Sequence, residues 1–264
     1  MQYPGRVIKQ GETDARIVKA LKQALNERLA LRGQRDLKLT VSDPNFGPKM
    51  EQAVKMFQAR SLDSQGNPLL TDGKVAALTW EALFGPESVP ASASTGDELL
   101  AETLRVAAAQ QAAGVREEPL GSNRGAIVDD YQLRTGLRPG HAWCACFVYW
   151  CFDEAAKHLG RANPVIKTAG CQDHWNRAGA AGITRISANR AGADPDLIKP
   201  GMIFIMGFDG GFGHTGLVES VAGGFMTTLE GNSNSGGGRE GIGVVRLTRK
   251  IRSVNKGFID YSGR

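Results

Sequence analysis

A thiol can open an acyl bond when an imidazole beside it manages its proton and a third polar group fixes the imidazole ring. The chain holds four cysteines, Cys144, Cys146, Cys151 and Cys171, and four histidines, His141, His158, His174 and His214. Cys144 follows Trp143 where a helix is expected to start, with Phe147, Val148, Cys151 and Phe152 as its buried stripe. Unpaired N–H groups and the dipole at a helix N-terminus favour a thiolate, the form that attacks carbonyls. Cys151 lies two turns further along the same face and reads as core. Cys146 points elsewhere on the helix and Cys171 sits in a polar segment, so both read as small apolar side chains.

Among the histidines, His141 lies in a Pro-Gly-His turn, His158 at a helix C-terminus and His174 in a polar stretch beside Trp175. His214 instead opens a strand over residues 214–221, which reaches its partner through Ala222-Gly223-Gly224. A three-residue loop with a glycine bulge would set His214 opposite Asn232 and Gly216 opposite Glu230. A two-residue Gly-Gly turn would move Glu230 and Asn232 off the histidine's face, so the odd loop is predicted. Glu230 or Asn232 then accepts the second imidazole N–H, and Gly216 leaves room for it.

The elements that must position these residues follow from periodicity. Helices are predicted at residues 97–113, with Asp97 as the cap, at 127–133 and at 143–159. Short β-type runs follow at 202–206, 215–221, 225–229 and 243–247. Helices first and a strand meander later define an α+β domain. Upstream, Ile17, Val18, Leu21, Leu25 and Leu29 mark a helix over residues 14–32. A second helix starts at Pro48, and a third is capped by Thr79, carries Trp80 and Leu83 inward and ends at Gly85. Residues 85–96 are rich in proline, small residues and hydroxyls, and read as a linker. The fold class is therefore two domains, an all-α three-helix module at 1–85 and an α+β domain with an antiparallel sheet at 97–264, joined by residues 86–96.

With 264 residues, 41% apolar and 22% charged, the chain has the composition of an ordinary folded protein. No apolar run reaches the roughly 18 residues a membrane span needs, and the opening residues, Met1 to Arg6, carry no secretory-signal core. The net charge of +5 is spread along the chain, with 13 basic and 10 acidic residues in 1–87. No basic arm for nucleic acid is present, while weak attraction to an anionic polymer at low salt is expected. The cysteines cluster within residues 144–171, unlike a disulfide framework. Cys144, Cys146, Cys171 and His174 also make a four-ligand zinc set, although without the usual Cys-x-x-Cys spacing. Asp194, Asp196 and Asp209 read as turn formers rather than calcium ligands. No metal and no cofactor is expected.

Two resemblances sharpen these readings. Asn45-Phe46-Gly47, Ala53-Val54-Lys55-Met56-Phe57-Gln58, Asp72-Gly73-Lys74-Val75 and Thr79-Trp80-Glu81-Ala82-Leu83 resemble the peptidoglycan-binding domain, which implies a three-helix, non-catalytic anchor on bacterial wall over about residues 12–85. The stretch from Ala30 to Pro44 is longer than that family's usual loop. Trp143-Cys144-Ala145-Cys146-Phe147-Val148, Lys199-Pro200-Gly201-Met202, Gly213-His214-Thr215-Gly216-Leu217-Val218 and Glu230-Gly231-Asn232 resemble the CHAP amidase/peptidase domain over about residues 100–262. That resemblance implies a papain-like α+β core with Cys144 as nucleophile, His214 as general base, and Glu230 and Asn232 as the groups that orient it. It implies a peptidoglycan hydrolase cutting an amide, either as an N-acetylmuramoyl-L-alanine amidase or as a stem or cross-bridge endopeptidase. The settings it implies are a phage endolysin or a secreted antibacterial effector, the latter with an immunity or delivery protein. A monomer is expected, made in the cytoplasm and reaching the wall by holin-type release or dedicated secretion. The competing reading is a wall-binding scaffold without catalysis.

Overall fold

The computed structural model describes residues 1–30, 38–234 and 241–264. They group into two compact units. One comprises Met1–Ala91 with Asp194–Asp196 and Ala222–Gly224, and the other holds the remainder.

In the first unit, α1 (Ala15–Ala30) buries the predicted Ile17, Val18, Leu21, Leu25 and Leu29 stripe. Its predicted extension to Arg32 lies outside the described residues. Helix α2 (Pro48–Gln58) starts at the proline and buries Ala53, Val54 and Phe57. Helix α3 (Ala77–Phe84) buries Trp80 and Leu83 and stops at Gly85, whose φ of 91° suits glycine. Its N-cap is Ala76 rather than Thr79. Thr79 lies inside the helix, and its hydroxyl accepts from buried Gln58 Nε2 at 3.1 Å. Gln58 Oε1 in turn accepts from Gly73 N at 2.9 Å, which staples the Asp72-Gly73-Lys74 loop to α2. Residues 86–91 belong to this unit, and buried Ser88 accepts the Tyr3 N–H on its carbonyl at 2.7 Å.

The second unit begins with α4 (Glu98–Ala112), capped by the Asp97 carboxylate, which accepts from Leu100 N at 3.0 Å. Then come α5 (Ala126–Thr135), α6 (Cys144–His158), α7 (Cys171–Ala180), β1 (Thr184–Ser187), α8 (Ala188–Ala193), β2 (Ile203–Gly207), β3 (Gly213–Ala222), β4 (Phe225–Ser233), β5 (Gly243–Lys250) and β6 (Gly257–Asp260). The strands form one sheet in the order β1-β6-β2-β3-β4-β5. Alternate residues of the strands serve different cores. Ile203, Ile205, Leu217, Leu229 and Ile259 join the cluster built on α4, α5 and α6, whereas Phe204, Val218, Met226 and Phe258 join a second cluster with Ile251 and Val254. Helix α6 packs against α4, α5 and β4, so its N-terminus is held from several sides.

The β3–β4 hairpin corrects one expectation. The connection is a two-residue turn, Gly223-Gly224, with φ of 56° and 78°, and not the predicted three-residue loop. Two successive positive φ values make the turn that best matches strand twist. The missing residue is supplied further down β3. Val218 exchanges backbone hydrogen bonds with Gly201 and Met202, whereas Val221 exchanges both of its own with Ser92. Residues three apart in an uninterrupted strand address opposite neighbours, and β4 occupies the other side of β3. One residue is therefore inserted between them, and this bulge returns His214 and Glu230 to a common face.

Candidate active site

Cys144 is the first residue of α6, and what precedes it is firmly tied down. Trp143, wholly buried, donates its backbone N–H to Asn232 Oδ1 at 3.0 Å and its indole N–H to Glu117 Oε1 at 3.0 Å. Glu117, also buried, accepts the Asn123 N–H on its other oxygen at 2.9 Å. Gly231 lets this corner close. A Cβ there would lie 2.5 Å from Phe147 Cβ and 2.7 Å from Trp143 Cζ3, both immobile core atoms. Gly231→Ala is therefore expected to cost about 1–3 kcal/mol by overpacking, read as a lower urea midpoint. Because the clash falls on the N-terminal turn of α6, hydrolysis should fall by about tenfold as well.

His214, only 2% exposed, sits on β3 with Nε2 at 2.7 Å from Glu230 Oε2. Its other nitrogen, Nδ1, is buried, and Cys144 is the imidazole's second electrostatic partner. Glu230, fully buried on β4, receives Arg249 through two bonds of 2.6 and 2.7 Å, Thr228 Oγ1 at 2.5 Å and Ser233 Oγ at 3.2 Å. Gly216 gives this carboxylate its place, since a Cβ at 216 would sit 2.8 Å from Glu230 Cγ.

The electrostatics follow from these contacts. Burial would raise the Glu230 carboxyl, but Arg249 and His214 overcome it and hold it down to about 2. Burial would likewise lower His214, but its hydrogen bonds and charge pairing with Cys144 and Glu230 hold it up to about 9. Hydrogen bonding from Cys171 and then His214, against the cost of burial, brings the Cys144 thiol well below its ordinary range. Burial pushes Cys146 up to about 12 and holds Cys151 well above an ordinary thiol. One thiol of the four is thus set to ionise, and it is paired with a charged imidazole.

Asn232 does not meet the imidazole, contrary to the expectation that it shares the orienting role with Glu230. The β4–β5 pairing slips by a residue between Glu230 and Ser233, and Asn232 takes a φ of 53°. Such a bulge re-aims its side chain. The Asn232 amide spans from Trp143 N to Gly241 O, to which its Nδ2 donates at 2.7 Å, and so serves the nucleophile's helix rather than the base.

The other candidates lie apart. Cys146 Sγ is 3.3 Å from Thr135 Oγ1, and His174 Nε2 is 2.9 Å from the Tyr261 hydroxyl. The four-ligand zinc set is therefore not assembled, and among the described residues no group of three or more His, Cys, Asp or Glu side chains is placed to hold a metal. His158 pairs with Glu102 on the surface. Burial brings His174 down to about 4 from the ordinary 6.5. A depressed histidine gives stability that is present above 6.5 and lost as pH falls toward 4, on the order of 3 kcal/mol over that interval. In His174→Gln the acid slope of the urea midpoint over this range should flatten.

Sequence reasoning missed Arg249, Glu117 and the approach of Cys171, whose Sγ lies 3.7 Å from that of Cys144. Arg249 was findable by continuing the β5 alternation beyond Leu247, since it stands on the same face as Leu247 and Val245.

The α+β unit thus brings a thiol, an imidazole and a buried carboxylate together at a helix N-terminus, an arrangement able to do acyl chemistry. Residues 136–232 match the family model of the CHAP domain, a domain of peptidoglycan amidases and peptidases. The match contains Cys144, His214, Glu230 and Asn232 and ends before Arg249. No curated protein and no solved structure matches the chain. No helix among the described residues is long and apolar enough to cross a membrane.

Proposed function

We propose that this chain is a two-part cysteine peptidoglycan hydrolase, with a wall-binding module at residues 1–85 and a catalytic domain at 97–264. The observation that carries the proposal is the low-lying Cys144 thiol at the start of α6, paired with a His214 whose far nitrogen is bound to Glu230. The thiolate adds to the scissile amide carbonyl, and N–H groups of the first turn of α6 stabilise the oxyanion. The imidazolium of His214 gives its proton to the leaving amine. It then takes one from water, which releases the acyl group from Cys144. Glu230 keeps the ring charged and correctly turned, and Arg249 keeps Glu230 ionised.

The bond cut is an amide of the wall peptide, either at the muramoyl–L-alanine junction or within the stem or cross-bridge, and thin diaminopimelate-type wall is the proposed substrate. Delivery as a phage endolysin or as a secreted antibacterial effector is consistent with both parts. The test is mass spectrometry of fragments released from purified diaminopimelate-type peptidoglycan, with Cys144→Ala as control. Free stem peptides mean amidase, and shortened stems or uncrosslinked disaccharide-peptides mean endopeptidase. A wild type that sediments with wall yet releases nothing is a binding scaffold.

A further inference from the structure

We propose that Cys171 is a second thiol of the site, whose S–H hydrogen-bonds the Cys144 thiolate and helps the imidazole hold it ionised. The inference rests on the hydrolase reading above and adds a residue to its machinery. The two sulfurs are 3.7 Å apart and buried, a separation suited to a thiol donor and a thiolate acceptor. Cys171 comes from another element, the first turn of α7, and its position is built rather than incidental. Gly213, immediately before His214, has no side chain where one would press on Cys171, since a Cβ there would stand 2.9 Å from Cys171 Cβ. Helix α7 is fixed by the His174 bond to the Tyr261 hydroxyl.

Two facing thiols cannot both ionise at this distance, so the pair keeps one proton. The partition is set by the surroundings. On the Cys144 side stand the His214 imidazole from β3, with Glu230 of β4 and Arg249 of β5 behind it, and on α7 stand Asp173 and His174. Cys146 on α6 is itself pushed toward the neutral form. The imidazolium favours the charge on Cys144. Hydrogen bonding to that thiolate and burial keep Cys171 protonated, well above an ordinary thiol. A neutral donor of this kind holds the nucleophile ready at lower pH than the imidazole alone would allow.

The experiment is the rate of iodoacetamide alkylation against pH on the full chain under reducing conditions, with Cys144 located by peptide mapping. Cys171→Ala and Cys171→Val remove the donor, one with a side chain smaller than cysteine and one larger, and Cys171→Ser keeps one. In the wild type the inflexion lies well below an ordinary thiol. In both non-donor variants it should rise by about one unit or more, which slows alkylation about tenfold at pH values below it. The acid limb of kcat/KM should move in parallel, and the serine variant should stay within about threefold of wild type. An unmoved inflexion in a folded non-donor variant, or a serine variant no better than alanine, overturns the assignment. If wild-type Cys144 alkylates no faster than an ordinary thiol, the hydrolase reading fails first and this inference falls with it.

Discussion

Cys144→Ala is expected to lose at least about 10³-fold in release of peptide from peptidoglycan while the chain keeps its fold. No other thiol can replace it. Cys146 and Cys151 are pushed to high values by burial, and Cys171 holds its proton beside the nucleophile. The substitution removes one sulfur from a residue already anchored through Trp143, whose bonds to Asn232 and Glu117 are untouched. Its urea midpoint should therefore stay close to that of wild type. Cys144→Ser should lose nearly as much, because an alcohol does not ionise beside an imidazolium at neutral pH. Retention of a tenth of the activity in Cys144→Ala would remove Cys144 from the mechanism.

Glu230→Gln is expected to lower kcat/KM by about 10²–10⁴-fold and to move its basic limb downward. In the wild type the thiolate–imidazolium pair persists until the imidazole loses its proton, at about 9. A glutamine removes one of the two groups that hold the ring there, Cys144 being the other, and burial then brings His214 down. Arg249→Met should act in the same direction but less strongly, because Glu230 keeps its place against His214, Thr228 and Ser233. Stability carries the same signature. Glu230, at about 2 against an ordinary 4.5, contributes stability that is present above 4.5 and lost as pH falls through 2. His214, at about 9 against 6.5, contributes stability that is present below 6.5 and lost as pH rises through 9. In Glu230→Gln the first dependence should vanish from the urea midpoint and the second should shrink, since Cys144 still supports the imidazolium. A basic limb unmoved in both variants would show that the carboxylate does not set the imidazole.

What could be read in advance was whatever rests on strong local pattern. The α1 stripe, Pro48 at the start of α2, the Asp97 cap and the apolar face of α6 are each decided within a few residues. Helix α7 escaped because its inward side is Cys171, His174 and Ala178, too polar to show as a stripe. Strand β1 escaped because four residues with one buried side chain carry almost no period. At the site, Cys144 and His214 were legible from their settings at a helix start and a strand start. The carboxylate was reached by the right face through the wrong turn, because the bulge in β3 depends on the backbone partners Val218 and Val221 find and not on the turn residues. Asn232 was misplaced for a similar reason, since its left-handed backbone belongs to the β4–β5 slip. Arg249 reaches Glu230 across neighbouring strands, and nothing near it in the chain announces that contact.

Arg249 also fixes when the centre becomes competent. A ribosome releases Cys144 more than a hundred residues before Arg249, and Arg249 is on β5, one of the two edge strands of the sheet. Until β5 has paired with β4, Glu230 is without its guanidinium, and burial works against its charge. An emerging chain therefore carries Cys144 as an ordinary thiol until β5 has been made and paired. The charge pair at Cys144 thus waits on a strand made far along the chain from the thiol, and a product truncated before β5 is chemically quiet.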